Sequence, residues 1–187
     1  VIGGGNVALR KVKTLLEYGA NITVVAPKLH PELKEMSGLV LREREFEKSD
    51  LDGMRLVFAA SSDGDCNRRV AGLCRERGIL VNVADLPGEC DFYFPALVRR
   101  ADLVVGISTG GKSPAVAKKI REEFDRALPE SLADFLEEMW ELRTVILERG
   151  EPIQEDREYC DKLHNYFEQN FFGAFKCRKT GSADEND

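Results

Sequence analysis

Three consecutive glycines lie near the start of the chain, where an apolar strand passes into a helical pattern. The segment Gly3-Gly4-Gly5-Asn6-Val7-Ala8 fits the spacing G-x-G-x-x-A. In that spacing Gly3 permits a tight turn, Gly5 lets the backbone approach a pyrophosphate, and Ala8 lets the helix pack close to the sheet. The first helical turn also presents unpaired N–H groups to an anion. The same spacing often marks only a tight turn, but between a strand and a helix it predicts a dinucleotide site.

The next predicted strand ends in Val25-Ala26-Pro27-Lys28. A dinucleotide site usually supplies a carboxylate to the ribose hydroxyls at this position. Lys28 would suit a 2′-phosphate equally well, so the spacing alone leaves NAD against NADP open.

A carboxylate follows another predicted strand, in the segment Asn82-Val83-Ala84-Asp85-Leu86-Pro87-Gly88. Asp85 would lie at the carboxyl end of a parallel strand, which is the edge where α/β sheets assemble their sites. Aspartate before Leu-Pro-Gly is also good turn chemistry. The residues alone do not separate a catalytic aspartate from a turn residue.

A second glycine-rich turn follows an apolar run, in the segment Ser108-Thr109-Gly110-Gly111-Lys112-Ser113-Pro114. Ser113 is a suitable N-cap, and Pro114 occupies the favoured first helical position. Lysines and an arginine make the turn and its helix basic, which a solvated helix face would explain. The paired glycines favour a turn that binds the oxyanion of a polycarboxylate or phosphate, since glycine lets backbone N–H groups close on it.

The elements that must position these residues alternate between short apolar runs and helical patterns. Strands are predicted at residues 22–26, 56–60, 79–83 and 103–107, and helices at residues 8–18 and 65–77. This alternation is typical of a parallel sheet with crossover helices. After Pro129 the pattern changes to amphipathic helices, one across residues 132–146 and a last one reaching about residue 172.

Composition excludes several classes of protein. The chain has 187 residues, of which 43% are hydrophobic and 32% charged, with a formal charge of −6 that argues against a nucleic-acid binder. No apolar run approaches the roughly 18 residues that cross a bilayer, and no signal peptide is evident, so we expect a cytoplasmic protein without membrane contact. Five scattered cysteines and two distant histidines predict neither a disulfide framework nor a metal site.

Taken in order, four segments resemble the precorrin-2 dehydrogenase / sirohydrochlorin ferrochelatase family, which is the dehydrogenase module of sirohaem synthases. They are Gly3-Gly4-Gly5-Asn6-Val7-Ala8 with Arg10-Lys11, Asn82-Val83-Ala84-Asp85, Phe92-Tyr93-Phe94-Pro95-Ala96, and Ile107-Ser108-Thr109-Gly110-Gly111-Lys112-Ser113-Pro114. The resemblance runs from Val1 to about Leu128. Beyond Pro129 it is only a similarity of helical character.

The resemblance implies an α/β fold, with a Rossmann-type parallel sheet, a dimerisation segment and a C-terminal helical domain, assembled as a homodimer. We expect an NAD-binding domain at residues 1–94 with a truncated first strand, a dimerisation segment at 95–128, a helical domain at 129–175 and a disordered tail at 176–187. No methyltransferase-like segment follows, so we expect a stand-alone module. Apolar faces after Pro95 and across residues 132–146 also predict a homodimer.

The activity implied by the resemblance is oxidation of precorrin-2 to sirohydrochlorin with NAD, followed in some members by insertion of ferrous iron to give sirohaem. Asp85 falls on the catalytic aspartate of the family, and Thr109 falls where some relatives carry a regulatory serine. The predicted cofactor contacts are Gly3, Gly5, Asn6, Val7, Pro27 and Lys28, and the predicted substrate contacts are Ser108, Thr109, Gly110, Gly111 and Lys112.

The substrate carries many carboxylates, for which Lys112, Lys118, Arg99 and Arg100 are candidate anchors. No resident metal site is assigned. Two alternatives remain open at this point: a non-catalytic, NAD-sensing dimeric module, and a dehydrogenase without chelatase activity.

Overall fold

The structure is a computed structural model that describes residues 1–172. The chain divides into two compact units, with the boundary between Phe94 and Pro95. The end of the predicted helical domain and the predicted tail at 176–187 lie outside the described residues.

A parallel sheet forms the centre of the first unit. Strand β1 (Ile22–Val25) pairs with β2 (Leu39–Arg42), and β3 (Leu56–Ala59) pairs with β4 (Leu80–Val83), both in parallel. Ile2 bridges Val25 on one side and Ala59 on the other. The order across the sheet is therefore β2, β1, the Ile2 segment, β3 and β4. From Ile2 the chain first adds strands on one side, β1 and β2, and then adds β3 and β4 on the other side, so the direction of winding reverses at Ile2.

Three α-helices join these strands, α1 (Asn6–Glu17), α2 (Pro31–Glu35) and α3 (Gly64–Glu76), and a 3₁₀ turn (Lys48–Leu51) lies between β2 and β3. Helix α1 buries Val12 in a cluster with Val24, whereas α3 buries Val70 in a cluster with Val25. Adjacent residues of a strand point to opposite faces, so α1 and α3 cover opposite faces of the sheet. The predicted α/β fold with a parallel sheet is confirmed.

Strand β2 and helix α2 were not predicted from the sequence. Each has only four or five residues. Among the strands of residues 1–172, β2 pairs with β1 alone, and Val40 within it is exposed. A short edge strand of this kind lacks the continuous apolar run of a central strand, so its pattern gave no signal.

The second unit begins with strands β5 (Ala96–Arg100) and β6 (Leu103–Ile107), which pair antiparallel. The strand predicted at residues 103–107 is confirmed, but its expected place in a parallel sheet is wrong. The connection is only Ala101 and Asp102, and Ala101 adopts φ 47°. A two-residue connection allows only antiparallel pairing, because a parallel pair needs a crossover of a dozen or more residues.

The described part of the second unit also has three α-helices: α4 (Pro114–Ala127), α5 (Leu132–Glu148) and α6 (Arg157–Phe167). A short 3₁₀ turn (Ile153–Glu155) precedes α6, and a π-helical turn (Glu168–Phe172) follows it. Helix α5 confirms the amphipathic helix predicted at residues 132–146. Phe135 of α5 stacks on Tyr166 of α6 with ring centroids 3.7 Å apart, beside buried Val98, Leu128 and Met139. Within residues 1–172, no helix combines the length and the apolar character needed to span a membrane.

Candidate functional site

A cleft of about 680 Å³ opens in the first unit beside the reversal of winding at Ile2. Its volume lies in the range of roughly 300–1,000 Å³ that is usual for small-molecule sites. Dinucleotides bind α/β sheets at such a reversal, outside the carboxyl ends of the strands. The lining comes from the glycine turn (Gly3, Gly4, Gly5, Asn6, Val7), the segment after β1 (Pro27, Lys28, His30), the segment after β2 (Glu45, Phe46) and the segments after β3 and β4 (Ser61, Ser62, Cys66, Asp85).

The three glycines of the turn have different roles. A Cβ at Gly3, which adopts φ 123°, would lie 2.2 Å from the carbonyl oxygen of Ala60, and a Cβ at Gly4 would lie 2.2 Å from that of Lys28. A Cβ at Gly5 would meet no protein atom within 4 Å. Close packing of the backbone therefore excludes side chains at Gly3 and Gly4, whereas the space beside Gly5 is open to a ligand.

The N-terminus of α1 lies directly after this turn. Gly5 is its N-cap and has no side chain to accept from the first N–H groups, and no acidic residue occupies the first turn. Asn6 and Val7 of that turn line the cleft. Unpaired N–H groups and the helix dipole both favour an anion there, so these residues fit the pyrophosphate of a dinucleotide.

The segment after β1 brings Pro27 and Lys28 to the cleft, both exposed. His30 follows them, and its backbone N–H donates to the Gly4 carbonyl at 2.7 Å while its Nδ1 accepts from the Glu32 N–H at 3.2 Å. His30 thus joins the glycine turn to the start of α2. Sequence reasoning missed this contact, because it depends on the two loops meeting in space.

Asn67 holds the wall of the cleft that follows β3. Its side chain accepts from the Ser61 N–H at 3.1 Å and donates to the Ser61 carbonyl at 2.9 Å, and the residue is only 3% exposed. These two bonds fix Ser61 in place next to Gly3, since Gly3 packs against Ala60 and Ser61. One sequence signal could have found Asn67: it is the polar residue on the otherwise apolar face of α3 that carries Val70 and Cys74.

Asp85 lies in the cleft lining just beyond the end of β4. It is exposed, and within residues 1–172 its carboxylate has no hydrogen-bond or ion-pair partner. Its backbone adopts φ 61°, a left-handed conformation that aspartate and asparagine tolerate better than most residues. The geometry thus combines a turn residue with an unpaired carboxylate that faces a binding cleft.

Lys11 and the residues around it support the strand that leads to Asp85. Lys11 of α1 donates to Asn82 Oδ1 at 2.8 Å, and its ammonium lies 5.0 Å from the ring centre of Phe58 and 5.1 Å from that of Phe94. Burial lowers the pKa of Lys11 from its ordinary value. Asn82 in turn donates to the Phe92 carbonyl at 2.9 Å. The cluster therefore joins α1, β4 and the segment after β4.

The predicted substrate residues Ser108, Thr109, Gly110, Gly111 and Lys112 lie in the second unit and are not among the residues that line the cleft. Gly110 and Gly111 adopt φ 60° and 77°. The Thr109 hydroxyl accepts from the Ser113 N–H at 3.0 Å, and Ser113 caps α4 by accepting from the Val116 N–H at 3.3 Å. The predicted N-cap is confirmed, and the Thr109 hydroxyl is bonded within its own turn.

The candidate anchors differ in their availability. Arg100 forms an ion pair with Asp125 at 2.8 Å, and Lys118 lies 3.9 Å from Glu122 on the same helix. Lys112 is exposed and forms no ion pair with the residues that the structure describes. In the same part of the chain, no three or more His, Cys, Asp or Glu side chains are arranged to hold a metal ion.

Comparison with known families matches both units. A family of putative NAD(P)-binding domains matches residues 1–96. The central domain of sirohaem biosynthesis proteins matches residues 100–127.

Curated relatives and a solved structure agree with these matches. The siroheme synthase of Pseudomonas paraeruginosa is 38% identical over 166 residues, which are 87% of this chain and 36% of the relative. That of Methylococcus capsulatus is 42% identical over 132 residues, 69% of this chain and 28% of the relative. The chain thus spans well under half the length of these relatives.

The solved structure of SirC, a precorrin-2 dehydrogenase, matches 94% of this chain and 92% of its own with a TM-score of 0.70 and 27% identity. The chain therefore carries a putative NAD(P)-binding domain and belongs to the family of precorrin-2 dehydrogenases and siroheme synthases.

Proposed function

We propose that this protein oxidises precorrin-2 to sirohydrochlorin with NAD, as a step in sirohaem biosynthesis. The observation that carries the proposal is the shared lining of one cleft by the glycine turn, the uncapped start of α1 and the unpaired carboxylate of Asp85. Membership of the family supports the choice of substrate.

The residues of the cleft fit a dinucleotide. The N–H groups at Asn6 and Val7 would hold the pyrophosphate, with room beside Gly5 for its close approach. Pro27 and Lys28 would lie along the adenosine. The chemistry supplied by NAD at this site is acceptance of a hydride.

Asp85 is the proposed general base. The oxidation removes a hydride and a proton from precorrin-2, and the carboxylate of Asp85 is unpaired and able to accept that proton. A general base typically accelerates a reaction by a factor of about 10² to 10⁴. If ferrous iron is then inserted, the same carboxylate can accept protons from the pyrrole nitrogens without binding iron permanently.

The turn at Ser108–Lys112 is the proposed contact for a carboxylate of the substrate. Gly110 and Gly111 adopt positive φ angles, and the Gly110 N–H already donates to the Ser108 hydroxyl at 3.2 Å, so the proposed contacts are the Gly111 N–H and the side chain of Lys112. Lys112 is the preferred anchor because Arg100 already binds Asp125.

We also propose a cytoplasmic homodimer that associates through the second unit, in which residues 95–128 form the dimerisation segment. Large apolar side chains are exposed on β6 and α4, at Val104, Val116, Ile120 and Phe124. A self-complementary contact between two copies would bury this surface.

An anaerobic assay with precorrin-2 and NAD tests the function. NADH absorbance should increase with time in the presence of both, and omission of either is the control. A parallel arm with ferrous iron reports sirohaem formation by its absorbance and decides whether chelation follows. Tight NAD binding without any NADH production would overturn the proposal in favour of an NAD-sensing module.

A further inference from the structure

Glu45 places a negative charge in the cleft, whereas the lining residues that follow β1, among them Pro27, Lys28 and His30, include no carboxylate. It lines the same cleft as these residues but belongs to the segment after β2. The neighbouring Glu43 pairs with Lys34 at 2.8 Å. Glu45 is exposed and pairs with no cation within residues 1–172, so its charge is available to a ligand.

A buried carboxylate fixes the loop that carries Glu45. Asp50, whose side chain is fully buried, accepts from Arg44 through both of its oxygens at 2.7 Å and from the Glu47 N–H at 2.9 Å. Arg44 also donates to the Glu45 carbonyl at 2.8 Å. Phe46, only 7% exposed, packs into the core directly after Glu45. The backbone of Glu45 is therefore held on both sides.

The same ion pairs leave two nearby arginines unavailable to bind a phosphate of a ligand. A 2′-phosphate is normally bound by arginine, but Arg42 and Arg44 both bind Asp50. These contacts raise the pKa of Arg44 and hold the pKa of Asp50 well below its usual range. Among the residues that line the cleft of the first unit, Lys28 is then the one lysine or arginine.

The carboxylate of Glu45 shares the cleft with the thiol of Cys66. The pKa of the Cys66 thiol is raised, first by burial and then by the negative charges of Asp63 and Glu45. Cys66 lines the cleft from the first turns of α3. Glu45 and the Cys66 thiol therefore line the same cleft and interact electrostatically.

We propose that Glu45 selects the unphosphorylated dinucleotide, because its carboxylate accepts hydrogen bonds from the adenosine ribose hydroxyls and repels a 2′-phosphate. In a dinucleotide fold this acid usually follows the strand that corresponds to β1. In this protein it is thus supplied by the segment after β2, the neighbouring strand. The inference rests on the proposed function, since it requires a dinucleotide in this cleft.

Binding of NADH and NADPH, measured separately by titration calorimetry, tests the proposal without the tetrapyrrole substrate. The wild-type protein should bind NADH more tightly. Glu45→Gln keeps the size of the side chain and removes its charge, so the preference for NADH should fall about tenfold, given the repulsion expected for a doubly charged phosphate in an open cleft.

Glu43→Gln is the matched control, because Glu43 lies on the same loop but pairs with Lys34 outside the cleft lining. It should leave the preference unchanged, and thermal melts should show both variants folded. An unchanged preference in Glu45→Gln, an equal change in Glu43→Gln, or a wild-type preference for NADPH would each overturn the inference while dinucleotide binding stands. If the wild-type protein binds neither dinucleotide, the proposed function fails as well.

Discussion

Alanine substitutions at Gly4 and Gly5 should separate the packing role of the glycine turn from its binding role. The change is chemically identical at two adjacent residues. A Cβ at Gly4 would lie 2.2 Å from the Lys28 carbonyl oxygen and 3.0 Å from Ala26 Cβ, whereas a Cβ at Gly5 would meet nothing within 4 Å. Ordinary contact begins near 3.4 Å, so Gly4→Ala must displace backbone by roughly an ångström.

The expected free energies follow from this difference. Overpacking that moves backbone costs about 1–3 kcal/mol, so Gly4→Ala should lower the free energy of unfolding by that amount. Gly5 has φ −88°, which alanine adopts freely. Gly5→Ala should stabilise the protein by about 0.4–1 kcal/mol, because alanine lowers the conformational entropy of the unfolded chain. It should destabilise the protein by a similar amount because alanine is a poor N-cap, so the net change in the free energy of unfolding should be small.

Urea unfolding followed by circular dichroism measures the first effect, and calorimetry with NAD measures the second. The Gly5→Ala protein should remain stable but bind NAD more weakly, and Gly5→Val should weaken NAD binding further. In both variants the new side chain occupies the space left for the pyrophosphate. The reasoning fails if Gly4→Ala is as stable as Gly5→Ala. The cofactor assignment fails if folded Gly5→Val binds NAD with unchanged affinity.

Three further changes test other parts of the structure. Asp85→Asn keeps the left-handed backbone and should fold and bind NAD normally, but NADH production should fall by a factor of about 10² to 10⁴; near-normal turnover would make Asp85 a turn residue only. Asp50→Asn should destabilise the protein by about 1.5–3 kcal/mol at neutral pH. Because the folded-state pKa of Asp50 is depressed, this difference should shrink as pH falls below about 5, and a pH-independent difference in urea unfolding would contradict it. Phe124→Glu should convert a homodimer into monomers by sedimentation, whereas a wild-type monomer at micromolar concentration would refute the predicted dimer.

In the first unit, the sequence predicted the strands and helices whose local residue pattern agrees with their environment in the fold. Ile22, Thr23, Val24 and Val25 are all β-branched and form a buried strand. The glycine turn predicted a strand-to-helix junction, because glycines at this spacing allow the tight turn and the close backbone approach that such a junction needs. The requirement at Gly4 was missed, since it arises from a carbonyl more than twenty residues away in the chain.

Other features were hidden because they depend on contacts distant in sequence. The antiparallel pairing of β6 follows from the short connection at Ala101 and Asp102, which local apolar periodicity does not encode. The bonds of Asn67 to Ser61 and the position of Glu45 in the cleft depend on loops that meet only in the folded protein. Asp85 was named from its place after a strand, but its unpaired state required the structure.

The central position of Ile2 also has a kinetic meaning. Its N–H donates to the Phe58 carbonyl and its carbonyl accepts from the Ala60 N–H, so the middle of the sheet joins residues that are far apart in the chain. Loop closure must precede such pairing, and folds rich in distant contacts form slowly. A growing polypeptide therefore cannot complete the sheet until β3 has been synthesised, and until then the Ile2 segment lacks its neighbour on the side away from β1. The β5–β6 hairpin has no such delay, because its two strands are almost contiguous in the chain.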